Sequence, residues 1–224
     1  MTTQPPARAV HHPIFARVYA RQSQGMEPSV GDYRRRLLAG LQGRVIEVGA
    51  GNGLNFHHYP ETVTEVVAVE PEPYLRALAV TAARRASVPV QVLDGTADQL
   101  PAAGGAFDAG VASLVLCSVP DPAHALAELH RVIRPGGELR FWEHVLADTP
   151  GLARAQRLMD HVWPLLLGGC HVSRNTLAEI AAAGFEIDRY DQFRFPESRP
   201  PSPTAPHVLG LARRPAGGSP RRAT

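Results

Sequence analysis

The run Val45-Ile46-Glu47-Val48-Gly49-Ala50-Gly51-Asn52-Gly53 passes from apolar, mostly β-branched residues straight into alternating glycines. A buried strand that breaks into such a loop lets backbone amides approach a ligand closely, because glycine has no Cβ and tolerates positive φ. The next apolar run, Val66-Val67-Ala68-Val69, closes on Glu70. A carboxylate at that strand tip is placed to accept hydrogen bonds from a ribose diol. The glycine spacing selects among nucleotides. A dinucleotide fingerprint needs G-x-G-x-x-G, and Leu54 stands where its third glycine belongs. Instead Gly49, Gly51 and Gly53 follow at two-residue steps behind the acidic Glu47.

Working outward, strand and helix patterns alternate. Strands are expected over residues 45–48, 65–69, 88–93, 107–114 and 139–145, and helices over 73–86 and 121–133. Asp121 caps the latter helix and Pro122 fits its first turn; Arg134-Pro135-Gly136-Gly137 ends it. This alternation implies a parallel sheet with helices on both faces. Residues 52–59 read as a helix or turn. Before the first strand, residues 12–24 form an amphipathic helix that either lids the crevice or packs on the domain's side, and a second helix lies around 33–41. Beyond residue 146, 152–167 is helical and Ser173 caps a helix running to Ala183. Two strands, 185–195 and 207–212, flank a proline-rich loop, 196–206. Residues 1–9 and the basic tail 213–224 read as disordered. The organisation expected is an arm at 1–43, a cofactor-binding core at 44–146, a helical cap with the final strand pair at 147–213, and a tail at 214–224.

At 224 residues with 44% hydrophobic content the chain suits one domain with a sizeable core. A net charge of +2 is too small to argue for nucleic acid, and neither a basic stripe nor an Asn/Asp-Pro-Pro-Tyr motif is present, so no nucleic-acid partner is expected. Cys117 and Cys170 lack metal-ligand spacing, so no metal is expected, and free thiols in a reducing cytoplasm are. No run approaches the roughly 18 apolar residues of a membrane span, and no leader is visible. A soluble, cytoplasmic protein is expected.

These motifs, in this order, resemble the Methyltransferase-11 type of class I S-adenosylmethionine (SAM) methyltransferases over residues 44–145. The resemblance implies a Rossmann-like, seven-stranded, mostly parallel sheet, with the last strand inserted antiparallel beside the fifth. It implies SAM as cofactor, Glu47 holding its ammonium, Gly49, Ala50, Gly51 and Gly53 passing beneath the methionine moiety, and Glu70 taking the ribose hydroxyls. Gly95-Thr96-Ala97-Asp98-Gln99-Leu100-Pro101 is similar to the family's adenine segment, with Thr96 in place of the usual aspartate and Ala97 offering its amide. Pro71 and Ser113 complete the implied cofactor contacts. Asp108, in Phe107-Asp108, reads as a structural strand residue.

Further segments resemble the methyltransferase-like alkyl-thiol methyltransferases of animals, which sit on endoplasmic-reticulum and lipid-droplet membranes. These are residues 114–119 (LVLCSV), 143–145 (EHV), 169–174 (GCHVSR) and 206–208 (PHV). The hydrophobic anchor of those relatives has no counterpart at this N-terminus, so peripheral membrane contact stays open. A small, lipophilic acceptor is implied, thiol before amine or hydroxyl. Related bacterial sequences carry the label phospholipid methyltransferase, a second reading. A SAM-binding protein without turnover and a nicotinamide-linked oxidoreductase are the remaining alternatives. A thiol gains from a base that takes its proton. His144, at the end of the fifth strand, is the residue chosen for that role, against a plain structural histidine; Glu143, Asp98 and His171 are the other candidates. Cys117 reads as a small buried residue.

Overall fold

The computed structural model describes residues 13–197 and 202–217. The expectations for residues 1–9, 198–201 and 218–224 lie outside them. Seven strands form one sheet in the order β3-β2-β1-β4-β5-β7-β6. β1 (Gly43–Val48), β2 (Val63–Val69), β3 (Val90–Leu93), β4 (Phe107–Ser113) and β5 (Ile133–His144) run parallel. β7 (Pro206–Arg213) lies antiparallel between β5 and β6 (Glu186–Arg194). Each central strand is apolar on both sides because helices cover both faces. On one face Val45, Val66 and Val111 pack with Leu37, Leu38 and Trp142; on the other, Ile46, Val67 and Phe141 pack with Leu126, Leu129 and Ile180. The helices supplying these contacts include α1 (Pro13–Leu38) on the first face, and α3 (Pro122–Val132) and α6 (Thr176–Ala182) on the second. α2 (Pro73–Ala83) adds Ala79 to the first.

Four local expectations are corrected. The two N-terminal helices are one 26-residue helix that runs through Pro28. Proline removes one helical hydrogen bond at a cost of about 3 kcal/mol, but burial on both sides of it, Ala16 and Ala20 beside Leu75 and Val30, Leu37 and Leu38 on the sheet, holds the helix together. The cap of α6 is Asn175, whose side chain accepts from the Ala178 amide, rather than Ser173. The expected helix over 152–167 is split into α4 (Pro150–Met159) and α5 (Trp163–Leu166), with Pro164 in the second. The tail is ordered further than composition suggests. Arg213 ends β7, and Arg214 donates to the carbonyls of His130 and Ile133, both at 2.6 Å, satisfying the open end of α3. Residues 52–59 resolve as turns ending in a short 3-10 segment, Phe56–His58.

Candidate active site

The parallel strands deliver their carboxyl ends to one crevice. Gly49 and Ala50 both donate to the Val69 carbonyl (2.9 and 3.2 Å), closing the glycine loop against the end of β2. Gly49 has φ +63° and Gly51 φ +57°, a region that side chains other than glycine avoid. Gly51 donates its amide to Glu70 Oε2 at 2.7 Å, and the Glu72 amide reaches Glu70 Oε1 at 2.9 Å. Burial raises the Glu70 pKa while these two amides oppose the rise. Pro71 follows, its carbonyl held by Arg76 at 2.9 Å.

Glu47 lies beneath the loop, 1% exposed. Asn55 Nδ2 and the Tyr59 hydroxyl each donate to one of its oxygens at 2.7 Å. Arg34 bonds Asn55 Oδ1 at 2.8 Å, completing an Arg34–Asn55–Glu47–Tyr59 chain. Burial lifts the Glu47 pKa to about 7 despite these donors. Each carboxylate oxygen keeps acceptor capacity for a further donor. Asn55, Tyr59 and Arg34 carry no motif signal and were invisible in the sequence.

α1 roofs this crevice. A Cβ on Gly51 would stand 3.4 Å from Tyr19 Cε1, and Phe15 stacks on Tyr19 with ring centroids 5.8 Å apart. Asn52 Nδ2 donates to Ser23 Oγ at 3.1 Å, tying the helix to the loop. The same helix also packs on α2 through Ala16 and Ala20, so it both covers the loop and packs on the domain's side.

Thr96 and Ala97 lie beyond β3. The hydroxyls of Thr96 and of Ser113, at the end of β4, are buried without a hydrogen-bond partner among the described residues. Asp98 is exposed. After Ser113 the chain turns sharply at Leu114, whose φ is +57°. Such strain concentrates where surrounding structure over-determines it. Here the turn converges the amides of Val115, Leu116 and Cys117 on the buried Glu143, at 2.9, 2.8 and 3.1 Å. Burial raises the Glu143 pKa against those amides. The carboxylate therefore holds the β4 loop in place.

His144, the next residue, turns the opposite way. Its Nδ1 lies 3.6 Å from Cys117 Sγ and 3.7 Å from Cys170 Sγ, and the two sulfurs are 3.7 Å apart. Its ring packs on His207, with centroids 4.5 Å apart. Burial, then the neighbouring His144, holds His207 down at about 3, and its Nδ1 is bonded to the Ala205 carbonyl at 2.8 Å. The hydrogen bond shared with Cys117, then His144, pulls the Cys170 thiol down to about 5 against its burial, while the same contact and burial push Cys117 up. Cys117 is thus part of a polar cluster as well as buried. His171 donates its amide to the Cys117 carbonyl at 2.7 Å while its ring faces Asp160. Asp108 sits at the far end of the sheet, accepting from the Arg44 amide (2.8 Å) and Arg134 (2.7 Å), a structural position. The open cleft of about 560 Å³ at that end, lined by Gly43, Asp108, Arg134 and Arg213, includes none of the crevice residues.

A methyltransferase domain family matches residues 46–141. The thiol S-methyltransferase TMT1B of Homo sapiens is 34% identical over 186 residues, covering 78% of this chain and 73% of its own. A SAM-dependent methyltransferase from Thermotoga maritima superposes with a TM-score of 0.66 at 21% identity, covering 90% of this chain and 98% of its own. A geranyl diphosphate methyltransferase in complex with SAM gives 0.64 at 14% identity, covering 94% and 92%. The sheet order, the antiparallel insertion of β7 and these likenesses agree: the chain belongs to the class I SAM-dependent methyltransferase family.

Proposed function

We propose that this enzyme methylates a small, lipophilic thiol. The observation that carries the reading is the similarity, over most of the chain, to a relative named as a thiol S-methyltransferase. The crevice chemistry supports it. The Thr96 and Ser113 hydroxyls, buried and unpartnered, and the two buried carboxylates suit a ligand bearing a nucleoside and an ammonium. Glu47 would hold the ammonium, Glu70 the ribose diol, Thr96 and the Ala97 amide the base, with Gly49, Ala50, Gly51, Gly53, Pro71 and Ser113 lining the path. SAM supplies a sulfonium-bound methyl: the acceptor's lone pair forms the new bond and the departing sulfur keeps the old pair.

What remains for the protein is to align the acceptor and manage its proton. Cys117, Cys170 and Val172 pack with Met159 and Trp163, an apolar surround suited to an alkyl thiol. A thiol with an ordinary pKa near 8.5 is mostly protonated at neutral pH, and His144 is the group to accept or orient that proton. Exposed Leu158, Val162, Leu165 and Leu166 give the neighbouring α4–α5 segment an apolar outer surface that favours a lipophilic acceptor. Incubation with methyl-labelled SAM and a panel of alkyl thiols, amines, phenols and a phospholipid tests the reading. Label on thiols supports it; label confined to amines or the phospholipid overturns it.

A further inference from the structure

We propose that Cys117, His144 and Cys170 form a zinc site with one open coordination position at the acceptor side of the crevice. The three donors come from the loop after β4, the end of β5 and the α5–α6 connection, 53 residues separating the two cysteines. With Zn–S near 2.3 Å and Zn–N near 2.0–2.1 Å, a tetrahedral ion separates two sulfurs by about 3.8 Å and a sulfur from a nitrogen by about 3.5 Å. The observed edges are 3.7 Å for the sulfurs and 3.6 and 3.7 Å for sulfur to Nδ1. A hydrogen bond explains one such edge; three donors in one near-equilateral triangle match the face of a tetrahedron.

Each donor is held from behind, as metal ligands require. Glu143 gathers the amides of the Cys117 turn. Cys170 follows two glycines at positive φ, Gly168 and Gly169, and its amide donates to the Leu167 carbonyl at 3.1 Å. His144 lies against His207, itself fixed to Ala205. Two sulfurs and an imidazole select zinc over magnesium or calcium. No fourth His, Cys, Asp or Glu atom joins the group among the described residues. Three protein ligands with a free position is the pattern of zinc sites that bind a substrate.

The site itself stands apart from the proposed thiol acceptor; the use of its fourth position rests on that reading. There the acceptor's S–H bond breaks as its sulfur binds zinc, the proton leaves to water, and no electron changes hands. The ion then does the deprotonation, and His144 acts as ligand.

The test uses the full chain, reduced, stripped with a chelator and titrated with Co²⁺ without oxygen. One cobalt per chain is expected, with the visible bands of tetrahedral cobalt and a thiolate-to-cobalt absorption, both abolished by one equivalent of Zn²⁺. Cys170→Ser should weaken binding by about 100-fold or more, since even supporting residues of metal sites contribute 10–100-fold. Wild-type protein without those bands, or a variant Cys117→Ser/Cys170→Ser that binds as tightly, overturns the site. So does a mass lower by two hydrogens under these reducing conditions, which marks a disulfide. Adding an alkyl thiol should shift the cobalt bands. Bands that form but do not shift remove the acceptor role, and intact bands with no thiol methylation sink the thiol reading alone.

Discussion

A Cβ on Gly49 would stand 2.2 Å from Val115 Cγ2, so the loops that follow β1 and β4 are in direct contact beneath the crevice. A rotamer change at Val115 does not escape this, because its Cβ would still stand 2.8 Å away, and the Gly49 φ of +63° is itself costly for any other residue. Gly49→Ala should lose about 1–3 kcal/mol from backbone strain alone, and more from the clash. Gly25, inside α1, provides the contrast, since a Cβ there would meet nothing within 4 Å. Gly25→Ala should gain about 0.5–1 kcal/mol. Urea unfolding of the two variants checks both signs, and equal effects would contradict the packing described.

The pH dependence of stability should carry the signature of Glu47. Its pKa is about 7 in the folded chain against 4.5 when unperturbed, through burial. Between those values the folded state holds a proton that the unfolded state has released. Stability from this group is therefore present below pH 4.5 and falls as pH rises towards 7, by up to about 3 kcal/mol. Glu47→Gln keeps the shape, and Tyr59 can reverse its hydroxyl. The variant's stability should fall less over pH 5–7 than the wild type's. Parallel profiles would place the titration elsewhere.

Gln156 is fully buried in α4 and fastens the segment after β5. Its Nε2 lies within hydrogen-bond range of the carbonyls of Val145 (2.9 Å), Val172 (2.8 Å) and Pro203 (2.9 Å), and its Oε1 accepts from the Ala147 amide at 2.7 Å. Gln156→Leu fills the volume but strands several backbone groups. We expect a loss of about 2–3 kcal/mol by thermal or urea unfolding, the scale of leaving buried polar groups unpaired. An unchanged midpoint would show that water replaces the amide without cost.

His144→Ala should lower turnover of a thiol by about 10²-fold or more, whether the imidazole takes the proton itself or holds the zinc that does, and leave SAM affinity nearly unchanged. Single-turnover rates and calorimetry separate the two. Full activity against an identified thiol would remove His144 from the chemistry.

The elements that make the crevice were legible because they are local. A buried strand, its glycine turn and a terminal carboxylate follow each other within a few residues, as in Val45 to Gly53 and Val66 to Glu70. What was not legible depends on distant packing. The joining of the two expected N-terminal helices into one through Pro28 depends on burial on both sides of that residue. Arg214 looks like solvated tail until α3 ends beside it. Asn55 and Tyr59 matter only because the chain folds back under Glu47. Cys117, His144 and Cys170 show no ligand spacing at all, and only the packing of the α5–α6 connection against the ends of β4 and β5 brings them together. Glu143 and His144 are neighbours in sequence, yet strand alternation sends one into the loop's amides and the other to the thiols.

The most direct test of the account is calorimetric titration of SAM into wild-type protein and Glu70→Ala. Glu70 Oε2 already receives the Gly51 amide at 2.7 Å, so its loss removes both the proposed ribose acceptor and the tie that shapes the glycine loop. We predict one SAM per chain for the wild type, and affinity weaker by about 1.5–3 kcal/mol for the variant, the range for hydrogen bonds to a charged group. Folded Glu70→Ala protein that binds SAM as tightly as the wild type would contradict the account.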